Sequence, residues 1–437
     1  MMTKKFWKAV TQRYTALTFV FQLINAKLLR ALIPITFLTI FSHLVAFAFA
    51  SKVDVRADAS FYSWRSSGDS VNAINQLTQD VRIRWQRIVE SDLSLRLNLS
   101  NRTLLDGTAS YLRIREAFID WQNPRTRMAV KIGRCYPFIG SSTGALDGLD
   151  LTVKAASNLR FGGFSGFAPE YLRPYGKTHL DHFRTGLGLL YNNLPRFRLE
   201  SYIAYELYKG KTYRQIFGFS DYISPFARLT SYNYTQIDLH QRKLSSFIAH
   251  VEYELTSPLS VFSEYAYRAP LIGPISDTQT AQTDYHRRLP VYREMTVGID
   301  LRILSAFRLR VAGGSDTTWG RNALIGNLRL TSFDFLRTGF DVFAGYRIRN
   351  RQDNTKSIYF ITIGRSIGKK LVIEGNFSYL QYQFVKSLSE YRSQIVGFNA
   401  IYRILHNIDI SFDIESTRHG KDFSDMRIFT NVGYATK

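Results

Sequence analysis

The sequence predicts an all-β fold, a transmembrane antiparallel up-and-down β-barrel of about 18 strands, with a range of about 16 to 20. Apolar and polar residues alternate with a period of two in one segment after another, each roughly ten residues long and separated from the next by turn residues. Tyr, Phe and Trp make up 14% of the 437 residues. Many of them stand near the segment ends, as in the aromatic girdles of membrane barrels.

One hairpin illustrates the alternation. In Phe247–Arg268 (FIAHVEYELTSPLSVFSEYAYR), Val251 and Tyr253 share one parity, whereas His250 and Glu252 share the other. Successive side chains of a strand point to opposite faces, so each arm has one apolar face and one polar face. A soluble β-sandwich shows the same pattern in any one hairpin, so the number of recurrences carries the prediction.

The alternating segments cover most of the chain beyond its N-terminal region. No internal repeat longer than a hairpin and no linker-like shift in composition interrupts them, which indicates one domain. At about 20–24 residues for each strand and its loop, they give the expected strand number. Representative segments are Asp80–Ile88, Leu93–Asn101, Arg127–Gly133, Phe183–Tyr191, Leu199–Leu207, Met295–Ile303, Phe307–Gly314, Leu324–Leu330, Phe340–Ile348, Ile358–Gly364, Leu371–Leu380, Ile395–Ile404, Ile408–Ile414 and Ile428–Tyr434.

The N-terminal region has the features of an export signal. Ala31–Ala50 is the only long apolar run, bases precede it, and it ends in Ala48-Phe49-Ala50, an A-x-A cleavage pattern. The sequence therefore predicts a signal peptide over residues 1–50 and a barrel over residues 51–437. The alternative is an uncleaved membrane anchor, because the run is nearly long enough to span a bilayer.

Charge and cysteine content narrow the function classes. Lys and Arg number 57 against 35 Asp and Glu, a formal net charge of +22. These bases are scattered along the strands instead of clustered, which argues against a nucleic-acid partner. The single cysteine, Cys135, excludes an intramolecular disulfide.

Recognised enzyme signatures are missing from the sequence. It contains no G-x-S-x-G, no H-E-x-x-H and no P-loop. His250 and Glu252 share a face, and His179, Asp181 and His182 crowd one segment. Eight histidines in a chain of this length produce such pairs by chance, so the sequence predicts no enzyme, no metal site and no cofactor.

The polar faces of the first strands are rich in bases. A barrel of this size has a lumen too wide for side chains to fill, so these faces are expected to border an aqueous channel. Rings of Arg and Lys bias a pore toward anions, unless acids such as Asp300 balance them. The predicted pore-lining bases are Arg82, Arg84, Arg113, Arg115, Arg127 and Lys131.

One strand breaks the alternation. In Tyr111–Trp121 (YLRIREAFIDW), Arg113 and Arg115 have one parity, and Glu116 and Asp120 have the other. A β-bulge at Arg115-Glu116 would reverse the phase and turn all four charges inward. The predicted bulge is a hypothesis about register that regular pairing through this strand would contradict.

Three stretches are too long and too rich in Gly and Pro to be hairpin turns. They are Cys135–Leu146, Phe167–His182 and Ala269–Pro290. Long loops of a membrane barrel either lie outside or fold inward as a constriction. Each stretch is therefore a candidate constriction, with a solvated surface loop as the alternative.

A family resemblance covers about forty residues. The segments Arg115–Asp120 (REAFID), Lys131–Arg134 (KIGR) and Asp147–Leu151 (DGLDL) resemble the strand–strand–loop signature of porin-like bacterial outer-membrane proteins, of which the alginate-export and related large-porin families come nearest. The resemblance implies passage of small hydrophilic, often anionic solutes. It also implies that Arg134 and Asp147 help hold an inward-folded loop. Cys135, where such sequences usually have Gln, and the terminal Lys437, where they usually have an aromatic residue, depart from the pattern.

Together these observations predict an outer-membrane porin of a bacterium for passive diffusion of small hydrophilic solutes, including anionic ones. Its expected partners are outer-membrane lipid and those solutes, and a homotrimer is one assembly such barrels adopt. Pore-lining or loop-anchoring roles are expected for Glu116, Asp120, Arg134 and Asp147. The alternatives are a non-conducting barrel with a structural or adhesive role, a barrel enzyme, and a soluble periplasmic all-β protein.

Overall fold

The computed structural model describes residues 53–67, 73–86, 88, 92–105, 110–140, 143–169, 178–193, 196–269, 291–304, 306–318, 320–384, 390–419 and 423–435. These residues form 22 strands and one short 3-10 turn, Phe335–Arg337. The strands are β1 (Val53–Ser67), β2 (Ala73–Trp85), β3 (Leu93–Leu104), β4 (Ser110–Asn123), β5 (Met128–Cys135), β6 (Leu146–Lys154), β7 (Leu159–Pro169), β8 (Thr178–Asn193), β9 (Phe197–Tyr208), β10 (Lys211–Phe226), β11 (Leu229–Asp238), β12 (Lys243–Thr256), β13 (Leu259–Arg268), β14 (Tyr292–Leu304), β15 (Phe307–Thr318), β16 (Arg321–Ser332), β17 (Phe340–Arg351), β18 (Asn354–Ile367), β19 (Leu371–Phe384), β20 (Glu390–Leu405), β21 (Ile408–His419) and β22 (Phe423–Ala435).

Every strand pairs antiparallel with its neighbours in the chain, and the first strand also pairs with the last. Ala59 of β1 lies opposite Gln79 of β2 on one side and opposite Val432 of β22 on the other. The sheet therefore closes on itself, which confirms the predicted all-β antiparallel up-and-down barrel. Among the described residues, no helix is long and apolar enough to cross a bilayer.

The predicted strand number was wrong, because the described chain has 22 strands instead of about 18. Val53 to Ala435 is 383 residues for 22 strands, or about 17 residues for each strand with its connection. The prediction assumed longer connections. Many of them are tight turns instead, such as Lys209-Gly210 between β9 and β10 and Ser257-Pro258 between β12 and β13.

The two faces of the sheet differ in polarity. The outer face of β14 and β15 exposes the apolar side chains of Val297, Ile299 and Val311. The outer face of β20 likewise exposes Val396 and Phe398. The intervening residues point to the lumen and include most of the strand charges. An exposed apolar exterior over a closed sheet matches the hydrocarbon of a bilayer, where an open sheet edge would leave backbone groups unpaired.

The lumen is wide. With strands about 4.8 Å apart and a typical tilt of 35–45°, a circular barrel of 22 strands would be roughly 40–50 Å across its backbone. Side chains that reach inward by several ångströms from each wall cannot fill such a space. Any narrowing must come from segments that fold into the barrel.

The predicted signal peptide over residues 1–50 lies outside the described residues, as do 270–290 of the stretch Ala269–Pro290 and 170–177 of Phe167–His182. The third long stretch, Cys135–Leu146, is described except for two residues. It therefore supplies the loop geometry considered below.

The assignment of faces predicts a contrast between neighbouring residues of β20. Val396→Arg is expected to lower the free energy of unfolding by about 2–4 kcal/mol, because it places a charge on the lipid face. Ile395→Arg, which points to the lumen opposite Thr417 and Ser378, is expected to cost less than about 1 kcal/mol. Denaturant titration of both variants in lipid vesicles measures the difference, and equal losses would contradict the assignment.

Candidate functional site in the barrel lumen

The first predicted basic column lies on the inner face of β2. Arg82 and Arg84 alternate with the outward Ile83, and both are exposed. In register, Arg82 lies opposite Asn98 of β3, and Arg84 lies opposite Arg96. The two side chains therefore share one face of β2, opposite to the apolar Ile83, as the alternation predicts.

The β-bulge predicted in β4 is confirmed. Glu116 pairs with Asn98 of β3, whereas Ile114 pairs with Leu99, so Arg115 is the extra residue. The phase reverses at this point, and Ile119 becomes 48% exposed on the outer face. The charged residues Arg113, Arg115, Glu116 and Asp120 all share the inner face, as the hypothesis required.

One acidic neighbour, Asp80, offsets part of the basic charge at the bulge, and two serines add hydrogen bonds. The Arg115 guanidinium donates to Ser100 Oγ at 3.3 Å, and its Nη2 lies 3.5 Å from Asp80 Oδ1. Ser94 Oγ donates to the backbone oxygen of Asp120. The bulge thus gathers opposite charges on the inner wall instead of leaving a purely basic column.

The remaining predicted bases have different environments. Arg127 does not share a strand face with Lys131, because it lies in the turn before β5 with a left-handed φ of 57°. The strand predicted over Arg127–Gly133 begins one residue later, at Met128. Lys131 does point inward, but its Nζ lies 3.1 Å from Asp150 Oδ2, so its charge is neutralised.

A segment between β5 and β6 folds into the barrel. This luminal segment, Tyr136–Ala145, is described for 136–140 and 143–145. Phe138 N donates to Asp150 Oδ2 at 3.2 Å, and Gly140 N donates to Glu200 Oε1 at 2.9 Å. These bonds join the segment to inner-face side chains of β6 and β9, which confirms that one candidate constriction folds inward.

The luminal segment packs against an apolar part of the inner wall. Ile139 is 2% exposed at the centre of this contact. Cys135 is also fully buried here, as a small apolar side chain would be. The buried cluster consists of Phe118, Cys135, Ile139, Leu146, Phe164, Leu190, Tyr202, Ala204 and Ile216.

Glycines on the wall make room for Ile139. A Cβ atom at Gly188 of β8 would lie 2.4 Å from Ile139 Cγ2 and 2.7 Å from the backbone oxygen of Ser201. A Cβ atom at Gly162 of β7 would lie 3.0 Å from Ile139 Cδ1. The segment is therefore seated in a groove that only a wall without side chains at these positions provides.

An ion pair joins the two strands at the base of the luminal segment. Arg134 Nε and Nη2 donate to Asp147 Oδ1 and Oδ2, each at 2.6 Å. Arg134 Nη1 also donates to the backbone oxygen of Ile114, and Thr178 Oγ1 donates to Asp147. The two residues that the resemblance singled out are thus bonded to each other where β5 ends and β6 begins.

A buried charge network lies on the wall beside the segment, and the sequence reasoning missed it. Glu206 is 2% exposed, 3.2 Å from Arg184 Nε, 3.4 Å from His182 Nε2 and 3.6 Å from Arg214 Nη1. Arg184 Nη1 donates to the backbone oxygen of Thr143 at 2.7 Å. Arg184 therefore links the luminal segment to the buried carboxylate, a contact that only the register of β8 to β10 creates.

A second basic sector, also missed, lies on β15 to β18. Asp316, buried at 3% exposure, bonds to Arg349 and lies 3.5 Å from Arg351 Nη2. Arg308 Nε and Nη2 donate to Asp300 Oδ1 and Oδ2, each at 2.7 Å. The run Tyr346–Arg351 (YRIRNR) contains the alternation that could have revealed this sector. Its inner-face bases are Arg308, Arg310, Arg329, Arg347, Arg349, Arg351 and Lys356.

The inner face of β12 to β14 is richer in acids. His250 Nδ1 lies 3.1 Å from Glu264 Oε1, and Ser260 Oγ donates to Glu252 at 2.7 Å. Within the described ranges, no three His, Cys, Asp or Glu side chains are arranged to hold a metal ion. The acids therefore act here as charges on the wall, next to the basic sector of β15 to β18.

Comparisons with known proteins give likeness in fold only. No family model matches the chain, and no curated protein matches it. The chain is similar to Pseudomonas aeruginosa OpdQ, with 10% identity, 88% of this chain and 98% of that chain covered and a TM-score of 0.44. It is also similar to Acinetobacter baumannii OccAB3 (9%, 88% and 99%, TM-score 0.38) and to the P pilus usher PapC translocation pore (10%, 87% and 100%, TM-score 0.49).

Scores this low carry no functional argument. The resemblance to the alginate-export family finds no support in these comparisons.

The glycine groove leads to a prediction about packing. Gly188→Ala is expected to lower the free energy of unfolding by about 1–3 kcal/mol, because the added methyl group meets Ile139 and the β9 backbone. Gly375→Ala, where nothing lies within 4 Å of the new Cβ atom, is the matched control with an expected change under about 0.5 kcal/mol. Urea titration of the refolded protein measures both, and equal values would show that the segment is not seated as described.

The base of the segment leads to a second prediction. Asp147→Asn is expected to destabilise the protein by about 3 kcal/mol, because it leaves the guanidinium of Arg134, 8% exposed, without its anion. Asp353→Asn removes the partner of Arg321, which is 66% exposed, and is expected to cost less than about 1 kcal/mol. Equilibrium unfolding monitored by tryptophan fluorescence compares the two, and a similar small cost at both sites would refute the anchoring role.

Proposed function

We propose that this chain is a bacterial outer-membrane channel for passive diffusion of small hydrophilic solutes. The observation that carries the proposal is a closed barrel of 22 strands with an apolar exterior and a charged interior. Charged side chains on a lumen wall interact with water and hydrophilic solutes in a channel, whereas a non-conducting structural or adhesive barrel does not need them.

The luminal segment supports a constricted channel over a plugged one. Its described part belongs to a buried cluster on the inner faces of β4 to β10, which are seven of the 22 strands or about a third of the wall. It is also bonded to Asp150 of β6 and Glu200 of β9. The described part of the segment, which lies against that part of the wall, cannot by itself block a lumen of the size estimated above. The segment narrows the passage on one side and leaves the basic sectors of β2 to β4 and β15 to β18 facing water.

A preference for anions is part of the proposal. Arg82 and Arg84 are exposed on the inner wall and have no ion pair within the described residues. The acids near the other arginines are already bonded, such as Asp300 to Arg308 and Asp316 to Arg349. Unneutralised bases raise the local concentration of anions along the wall.

Export, the surrounding lipid and the oligomeric state are also part of the proposed function. Residues 1–50 would direct export as a cleaved signal peptide, and N-terminal sequencing of protein extracted from membranes would identify the cleavage site. Outer-membrane lipid would surround the apolar exterior, and a homotrimer is one assembly to be tested by native mass spectrometry. No enzymatic role and no cofactor is proposed.

Single-channel recording in a planar bilayer tests the channel function. The refolded protein is expected to give stable conductance steps, with a reversal potential in a KCl gradient that favours chloride and a selectivity that weakens as salt rises. Arg82→Gln with Arg84→Gln is expected to shift the reversal potential toward cations. The control removes the same charge from turns, as Arg125→Gln with Arg242→Gln, and is expected to leave selectivity unchanged.

Other outcomes have distinct meanings. Cation selectivity of the wild type would keep the channel and refute the role of the arginines. Silence from a correctly folded barrel would refute the channel and favour the structural or adhesive alternative.

A further inference from the structure

We propose that a pocket on the inner wall of β13 to β17 binds small zwitterions, molecules of amino-acid or dipeptide size that carry both an ammonium and a carboxylate group. The proposal rests on the channel function proposed above and names a class of solute that the channel would take. The wall residues that carry it are Glu264, Glu294, Arg310, Arg329 and Arg347.

The pocket is a depression with a floor of small side chains. Ala312 of β15 and Thr296 of β14 line it, and its volume is about 200 Å³. The ring of Phe262 forms one edge and lies over Gly298, where a Cβ atom would approach Phe262 Cζ within 2.5 Å. Ligand pockets for larger molecules occupy about 300–1,000 Å³, so this one suits a solute of amino-acid or dipeptide size.

The sign of the charge changes across the pocket. The acids come from β13 and β14, as Glu264 and Glu294, whereas the bases come from β15, β16 and β17, as Arg310, Arg329 and Arg347. The pocket therefore lies on the boundary between the acid-rich and base-rich sectors of the wall. A field of this kind orients a solute that has a positive and a negative end.

Three of the five charges are available to a ligand. Glu264 is engaged by His250 at 3.1 Å and by Arg310 Nη2 at 3.5 Å. Within the described part of the chain, Glu294 and Arg347 make no ion pair, and Arg329 lies over the ring of Phe343 at 5.3 Å without an acid partner.

The register between β15 and β16 gives a second reason why the basic side of the pocket would bind the carboxylate of a ligand. Arg310 and Arg329 lie directly opposite each other on β15 and β16. Like charges at directly opposed positions of a sheet destabilise it, and Glu264 offsets only the charge of Arg310. A bound carboxylate near Arg329 and Arg347 would relieve the remaining repulsion.

A zwitterion satisfies both sides of the pocket, whereas singly charged analogues do not. A simple anion would be held by Arg329 and Arg347 but repelled by Glu294. A simple cation would be held by Glu294 but repelled by the arginines. The geometry therefore selects for opposite charges on one small molecule.

Ligand-detected saturation-transfer NMR on the refolded full chain tests the pocket. The probes are glycylglycine, its analogue N-acetylglycine without the ammonium group, and its analogue glycylglycinamide without the carboxylate. Glycylglycine is expected to bind the wild type about fivefold more tightly than either analogue, the effect of one exposed charge contact. The same preparations are assayed for bilayer conductance, and far-UV circular dichroism shows independently that each variant is folded.

Substitutions on either side of the pocket are expected to remove the preference for one end of the probe at a time. Arg329→Gln with Arg347→Gln should abolish the advantage over glycylglycinamide, and Glu294→Gln should abolish the advantage over N-acetylglycine. The control pair in the turns, Arg125→Gln with Arg242→Gln, should retain the wild-type order.

The outcomes separate this proposal from the channel function. Equal binding of the three probes by a conducting protein would overturn the pocket and leave the channel. Preference for N-acetylglycine in the wild type would also overturn it, since the wall would then bind anions through its arginines without any contribution from Glu294. Zwitterion preference in a folded protein that conducts no ions would support the pocket and overturn the channel.

Discussion

Hydrogen bonding between the first and last strands is the interaction on which the rest of the structure depends. A bilayer offers no water to the backbone, so every N–H and C=O group of a membrane-spanning sheet must pair within the protein. Pairing of β1 with β22 from Arg56 to Ser67 removes the two free edges at once. Closure also defines an inside and an outside, which gives the period-two alternation of every strand its physical meaning.

Once the sheet is closed, each departure from regular pairing changes what the lumen contains. The extra residue at Arg115 reverses the phase of β4 and brings four charges to the inner wall. Gly133, with a φ of 122°, lies where a Cβ atom would meet the backbone oxygen of Ala117. It lies one residue before Arg134, at the base of the luminal segment. The bulge thus decides which charges line this wall, and the glycine lets β5 pack closely on β4 just before the chain turns into the interior.

The charge that a solute meets inside the barrel depends more on which bases are paired with acids than on the net charge of the chain. The net charge of the chain is strongly positive, yet many luminal bases are matched to buried acids such as Glu206 and Asp316. Buried pairs of this kind hold their geometry because separating them leaves an uncompensated charge. The bases that remain without acids, including Arg82, Arg347 and Arg329, are consequently the ones that a solute would meet.

The sequence by itself determined the fold class, the inward faces of β2 and β4, the bulge and one inward-folding stretch, because these depend on local alternation and on turn residues. It overestimated the length of the connections and so predicted too few strands. Separately, it placed the turn residue Arg127 within a strand. Only the tertiary structure decided which strands are neighbours. Glu206 pairs with Arg184 and Arg214, Ile139 packs on Gly188, and acidic β14 lies next to basic β15. All three contacts depend on the register between strands, which no periodicity within one strand encodes.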